Sequence, residues 1–190
     1  MDRRTPGRPG HSPRTIVQAL GRCEPPAGSG RLTAVEVFAG YLALDAWVAN
    51  QDRHDQNWAV LRQAAAPGEL RLASSYDHAS SLGFNLLDAR RATMLASGAV
   101  AAWAARGTAH RFEHDPGSSW REIPTLVAAA HDALDLAGQK ASRHWIELLE
   151  SLEWAEVENA IARTPNLSDV TASFILELLT VNRRRLLHER

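Results

Sequence analysis

Hydrophobic positions follow two regimes along this chain. From Thr33 onward they recur at helical spacing, with Val35, Phe38, Ala39, Leu42, Ala46 and Ala49 on one face. That spacing predicts an amphipathic helix over 33–49. Thr33-Ala-Val-Glu36 marks its start as a capping box, the hydroxyl serving the first free N–H groups and the glutamate reaching back. The periodicity stops at Asn50-Gln51-Asp52-Arg53-His54-Asp55-Gln56-Asn57, a run of eight polar residues. Two short apolar stretches follow, Trp58–Leu61 and Leu70–Tyr76, with the turn composition Ala66-Pro-Gly-Glu69 between them. The pair reads as a β-hairpin. Beyond it the pattern is helical, with segments expected at Leu87–Arg106, Ser119–Ala137, Ser142–Leu152, Trp154–Arg163 and Ser168–Glu189. Asp115-Pro-Gly-Ser118 and Thr164-Pro-Asn-Leu167 interrupt it, and Ser168 is placed to cap the last helix. The expected fold class is mainly α: a helical domain with one small β-hairpin.

Ahead of Thr33 the pattern is absent. Residues 1–31 hold five of the nine prolines, five of the twelve glycines, and six arginines against two acids. They read as a flexible basic arm, with 1–13 disordered or loosely docked, a short helix over Thr15–Arg22 and a loop over Cys23–Gly30.

Composition narrows the classes. The 190 residues suit one domain, and 45% hydrophobic residues can fill a core. A balance of 21 basic against 22 acidic residues argues against a nucleic-acid partner. Cys23 is the single cysteine, which excludes an internal disulfide and a thiolate metal cluster. No stretch approaches the roughly 18 apolar residues of a membrane span, and no apolar core follows the basic start, so neither membrane nor leader is expected. The expectation is a cytoplasmic protein. Of the 21 basic residues, 20 are arginine and only Lys140 is lysine.

The polar loop carries the candidate chemistry. Ordinary connections are short and made of turn formers, whereas this one is packed with groups that bind protons, phosphate or metal. Phosphoryl transfer uses such a set: a carboxylate that takes the acceptor's proton, and, five positions later, an Asn that binds Mg²⁺. Asp52 and Asn57 have that separation. Ten Asp and six Asn in 190 residues give about 0.3 such pairs by chance, so the context must add weight. It does: a helix precedes the loop, a hairpin follows, and the second strand ends in Tyr76-Asp77, where a further metal carboxylate is required.

The residues Leu42-Ala-Leu-Asp-Ala-Trp-Val-Ala-Asn-Gln-Asp-Arg-His-Asp-Gln-Asn-Trp-Ala-Val-Leu61, followed by Ser75-Tyr-Asp-His-Ala-Ser-Ser-Leu-Gly83, resemble the C-terminal lobe of HipA-type kinases. These are bacterial serine/threonine protein kinases distantly related to phosphatidylinositol kinases, which also carry Asp-Arg-His-x-x-Asn. The resemblance implies that 32–190 is a kinase C-lobe, with Asp52 as catalytic base and Asn57 and Asp77 as Mg²⁺ ligands. It places His54 in proton transfer or in bracing the loop. It places Arg53 on the developing phosphate charge or in an ion pair with an acid. It further implies ATP and Mg²⁺ as cofactors, a protein Ser/Thr or small-molecule hydroxyl as acceptor, and a toxin–antitoxin setting. A separate N-lobe-like or antitoxin-like protein would then be a partner.

Kinases also need an N-terminal lobe of strands, a phosphate-covering loop and a lysine on the nucleotide phosphates. Residues 1–31 lack strand alternation, and Lys140 lies far downstream. The nucleotide-clamping half is therefore expected to lie outside this sequence. Two other readings remain: a catalytically inactive, pseudokinase-like binding module, and a metal-dependent phosphohydrolase using His110, His114-Asp115, His131-Asp132 and Asp169.

Overall fold

The structure is a computed structural model that describes residues 7–62, 68–115, 117–119 and 121–189. Eight helices and two strands occur among them: α1 Pro13–Leu20, α2 Ala34–Trp47, β1 Val60–Arg62, β2 Leu70–Leu72, α3 Asp88–Ala96, α4 Val100–Ala104, α5 Leu126–Ala137, α6 Gln139–Glu150, α7 Trp154–Ala162 and α8 Asp169–His188. The fold class is the expected one, mainly helical with one hairpin.

The capping box at Thr33 forms as read: Thr33 Oγ1 accepts from Glu36 N–H at 3.2 Å, and Glu36 accepts from Thr33 N–H at 2.7 Å. The helix it starts is wrapped on more than one side, packing on α5, α8, α6 and α1. Ala34, Phe38 and Ala39 are fully buried, as are Ala130, Ala133 and Leu134 of α5. Burying a side chain such as Phe38 or Leu134 contributes about 1.5–3 kcal/mol. Gly40 makes the contact with α6 feasible. A Cβ there would lie 2.3 Å from the Trp145 ring, whose Nε1 donates to Glu36 O at 2.8 Å. A second cluster joins Phe174, Leu178 and Val181 of α8 to Ala49, Met94, Val100 and Ala104. Between the two clusters, α8 grips the end of α2: Trp47 Nε1 donates to Leu179 O, and Asn182 Nδ2 donates to Trp47 O.

The hairpin is antiparallel, with Val60 opposite Leu72 and Arg62 opposite Leu70. Part of the turn read at Ala66-Pro-Gly-Glu69 lies outside the described residues. Its strands are shorter than the apolar stretches that suggested them.

Elsewhere the boundaries move for local reasons. The single helix expected over Leu87–Arg106 is two, because α3 closes in a Schellman motif. Gly98 takes φ 65° there, its N–H bonds Leu95 O, and Ala99 N–H bonds Met94 O at 2.9 Å. The helix expected from Ser119 begins only at Leu126, with Thr125 Oγ1 capping Ala128 N–H at 3.1 Å directly after Pro124. Ser168 caps α8 as expected, accepting from Thr171 N–H at 3.1 Å.

The arm expected over 1–31 is built into the fold from Gly7 on. Ile16 and Leu20 of α1 belong to the core, and Glu24 bonds both Leu70 O and Leu72 N–H beside the hairpin. His11 is 4% exposed and stacks on Phe112 at 4.8 Å. Residues 1–6 lie outside the described residues.

Candidate active site

The site begins with how α2 ends. Asn50 N–H bonds Asp45 O at 2.8 Å across Ala49, which takes the left-handed φ of 56° usually left to glycine. That turn throws the chain out of the helix while keeping Asn50 over its last turn. Asn50 Nδ2 then donates to Asp45 Oδ1 at 2.8 Å, and Asn50 Oδ1 accepts from Asp52 N–H at 3.1 Å.

Asp45 is the buried anchor. Arg53 closes on it through two contacts of 2.7 Å, both side chains being 3% exposed. The same guanidinium donates to Asn57 O and to Ser75 Oγ at 3.2 Å. One cation thus ties the end of α2, the far end of the polar loop and the segment after β2 into one unit. The phosphate-contacting role expected for Arg53 is corrected by this geometry: the guanidinium is enclosed and committed to Asp45. Asp45 itself carries no motif in the sequence beyond its helical position.

On that brace the loop curls tightly. Asp52 O accepts from His54 N–H at 2.7 Å and from Asn57 Nδ2 at 2.7 Å, and His54 Nδ1 accepts from Gln56 N–H at 3.1 Å. For His54 the visible role is bracing the turn. With Nδ2 of Asn57 turned onto the loop's own backbone, its carbonyl oxygen is the end left to meet a cation.

The chain after β2 comes back over the loop. Tyr76 OH donates to Gln56 O at 2.8 Å, and Ser80 Oγ donates to Asp52 Oδ2 at 3.4 Å. Asp77 lies between these two anchors, in a left-handed turn at φ 55° with an exposed carboxylate. Its side chain has no hydrogen bond or ion pair to any described residue. The Tyr76 and Ser80 contacts thus bring the turn that carries Asp77 over the loop that carries Asp52 and Asn57, with Asp77 exposed and Asn57 buried at 2% exposure. Leu82 (φ 57°) completes a ring of strained turns, so three of the four described non-glycine residues at positive φ flank this site. Such conformations cost on the order of 1 kcal/mol each and collect where a fold is made to hold functional groups.

One partner of Asp52 left no trace in the local sequence. Arg111, on the segment between α4 and α5, contacts Asp52 Oδ1 through Nε at 2.8 Å and Nη2 at 2.6 Å. The two residues are 59 positions apart, and no spacing rule connects them. Gln51 fixes the same segment by accepting from Thr108 N–H at 3.2 Å. Asp52, Ser80, His110, Arg111, Trp103 and Phe84 line a cleft of about 380 Å³ beside the carboxylate.

Lys140 is elsewhere. Its ammonium meets Glu36 Oε1 at 3.0 Å and donates to Arg31 O at 3.1 Å. Burial pushes the Glu36 carboxyl up, but its bonds to Thr33 and the ammonium outweigh that and hold it below the usual range. Among the described residues no three His, Cys, Asp or Glu side chains form a metal-holding group. Nor is any described helix long and apolar enough to cross a membrane.

The fold around this loop is kinase-like. It superposes on the crystal structure of the Helicobacter pylori proinflammatory kinase CtkA with a TM-score of 0.59 at 16% sequence identity, covering 93% of this chain and 61% of that one. The likeness is one of fold, and the chain spans under two thirds of that kinase. No protein-family description matches the sequence, and no curated protein does.

Proposed function

We propose that this chain is the C-lobe of a HipA-like, ATP- and Mg²⁺-dependent phosphotransferase acting on a hydroxyl group. The observation that carries the reading is the convergence of Asp52, Asn57 and Asp77 through the Tyr76–Gln56 and Ser80–Asp52 contacts. The donor set suits Mg²⁺, a hard ion that takes one or two carboxylates and leaves its other positions to phosphates and water. Asn57 Oδ1 and the Asp77 carboxylate would hold it, and when bound it neutralises charge on the transferring phosphoryl group.

The chain's own groups do the rest. Arg111 occupies Oδ1 of Asp52 and so fixes the carboxylate's orientation. Oδ2 is left facing the cleft, where the Ser80 hydroxyl already reaches it at 3.4 Å, long for a bond of this type. An acceptor hydroxyl in the cleft can take that place, be oriented by Oδ2 and pass its proton there as the phosphoryl group arrives. Cover for the nucleotide, including a lysine on its phosphates, comes from an N-lobe, in the same polypeptide or in a partner protein. Exposed Val60 and Leu61 on β1 leave an apolar edge for such a lobe.

The test is Mg²⁺-dependent transfer of labelled γ-phosphate from ATP to the protein or an acceptor. The expected outcome is incorporation that falls at least about 10²-fold in Asp52→Asn, the range of a general base. Incorporation unchanged in Asp52→Asn would contradict the assignment. The second reading is a pseudokinase-like binding module. Nucleotide binding without transfer would select it.

A further inference from the structure

The acceptor cleft adjoins a second one of about 310 Å³, and Ala49, Gln51 and Trp103 line both. The charges around the joined space are lopsided. Arg111 and His110 line the first cleft, and Arg90 and Arg106 line the second; among the described residues the only acid in either is Asp52, which Arg111 already pairs. Arg90 and Arg106 are exposed, and their side chains make no ion pair or hydrogen bond to any described residue. Exposed arginines such as Arg14, Arg22 and Arg62 also lack an acid partner among the described residues, so what sets Arg90 and Arg106 apart is their place on the wall of this joined space. Apolar surface accompanies the charge: Trp103 walls both clefts, and Phe84, 61% exposed, stands at the edge of the first.

We propose, on the reading that Asp52 is the base of a phosphotransferase, that the acceptor is a serine or threonine in an acidic peptide segment. Its hydroxyl enters beside Asp52 Oδ2. An apolar neighbour rests on Phe84 and Trp103, and flanking carboxylates lie over Arg90 and Arg106. Unpaired guanidinium groups are suited to that task, since their forked donors match carboxylate oxygens. Their exposure makes the interaction one of selection and encounter, sensitive to salt. A basic segment would be repelled by the same rim, which gives the cleft discrimination as well as attraction.

Fluorescence anisotropy without nucleotide tests this separately from the kinase reading. The probes are a labelled peptide with a central serine, one leucine and flanking Asp/Glu, and the same peptide with Asn/Gln in place of the acids. The protein is compared with its Arg90→Glu/Arg106→Glu variant, whose melting temperature should match the parent because both side chains are exposed and unpaired. Expected are preference for the acidic peptide, a loss on the order of tenfold in the double variant, and weakening with added salt. Equal binding of the two peptides, indifference to the charge reversal, or no binding of the acidic peptide would overturn the proposal. So would stronger retention on phosphatidylglycerol vesicles than on the peptide, which would assign the arginines to a lipid surface. If ATP fails to bind while the peptide result holds, the catalytic reading falls and the acidic-segment site stands.

Discussion

At the scale of single residues, the polar loop divides into groups that hold and groups that face out. Arg53 holds. Its guanidinium serves Asp45, Asn57 O and Ser75 from a position 3% exposed to solvent. Breaking a buried pair by removing one partner leaves the other charge uncompensated, so Arg53→Ala is expected to cost about 3–5 kcal/mol of folding stability. Urea denaturation measures it. A variant of parental stability but weakened nucleotide binding would restore the phosphate-contacting role. Sequence spacing singled out Asp52, Asn57 and Asp77 as candidates because their separations are set by one loop and one hairpin. It left Arg53 open between two roles, because a guanidinium in a phosphate site and one in a structural brace look alike until burial is known. Asp45, on the last turn of an apolar helix, became decisive only when Arg53 and Asn50 were seen to close on it.

At the scale of elements, the segment before α1 straps the loop region together. His11 Nδ1 faces Arg111 O at 3.1 Å, and its Nε2 accepts the Trp58 indole N–H at 3.1 Å. Alongside, Gly10 N–H donates to Glu113 Oε2 at 2.8 Å, and Glu113 N–H donates to His11 O at 2.8 Å. Only the neutral ring protonated on Nδ1 satisfies both partners. Burial lowers the His11 pKa, outweighing the upward pull of the Arg111 carbonyl and the Asp55 carboxylate, and His54 adds to the lowering. As the pH falls below the usual imidazole value of about 6.5, the unfolded chain therefore takes up the proton before the folded one does. The stability that neutral His11 contributes is complete above that pH and is lost as the pH drops through the folded pKa. Denaturation midpoints between pH 7.5 and 5 should fall in the parent and flatten in His11→Gln, which keeps an acceptor for Trp58 but cannot titrate; equal slopes would contradict the strap. Proline and glycine suggested a loose arm here because composition reports the lack of a local pattern. The partners that order it lie about a hundred residues downstream. The split of α3 from α4 was hidden for the opposite reason. Gly98 sits in an alanine-rich stretch that tolerates helix, and the Schellman closure decides against it.

At the scale of the whole molecule, helical periodicity and one hairpin sufficed to read a mainly helical domain, and the kinase-like expectation came from the resemblance over 42–83. The Asp52–Arg111 contact was beyond reach, since it depends on where the α4–α5 segment lands after folding. The fold sets Asp77 on a surface flanked by strained turns, with Asn57 buried beneath it in the polar loop and a cleft beside Asp52. It follows that Asp77, exposed and held only by its turn, should be separable from stability. Asp77→Asn retains a residue that tolerates the left-handed conformation and removes one metal-binding charge. Calorimetric titration of the parent with Mg²⁺-ATP should give saturable heat that disappears without Mg²⁺. In Asp77→Asn it should be lost at an unchanged melting temperature. Heat that is absent in the parent, or that persists undiminished in Asp77→Asn, would contradict the assignment of this loop as a nucleotide-metal site.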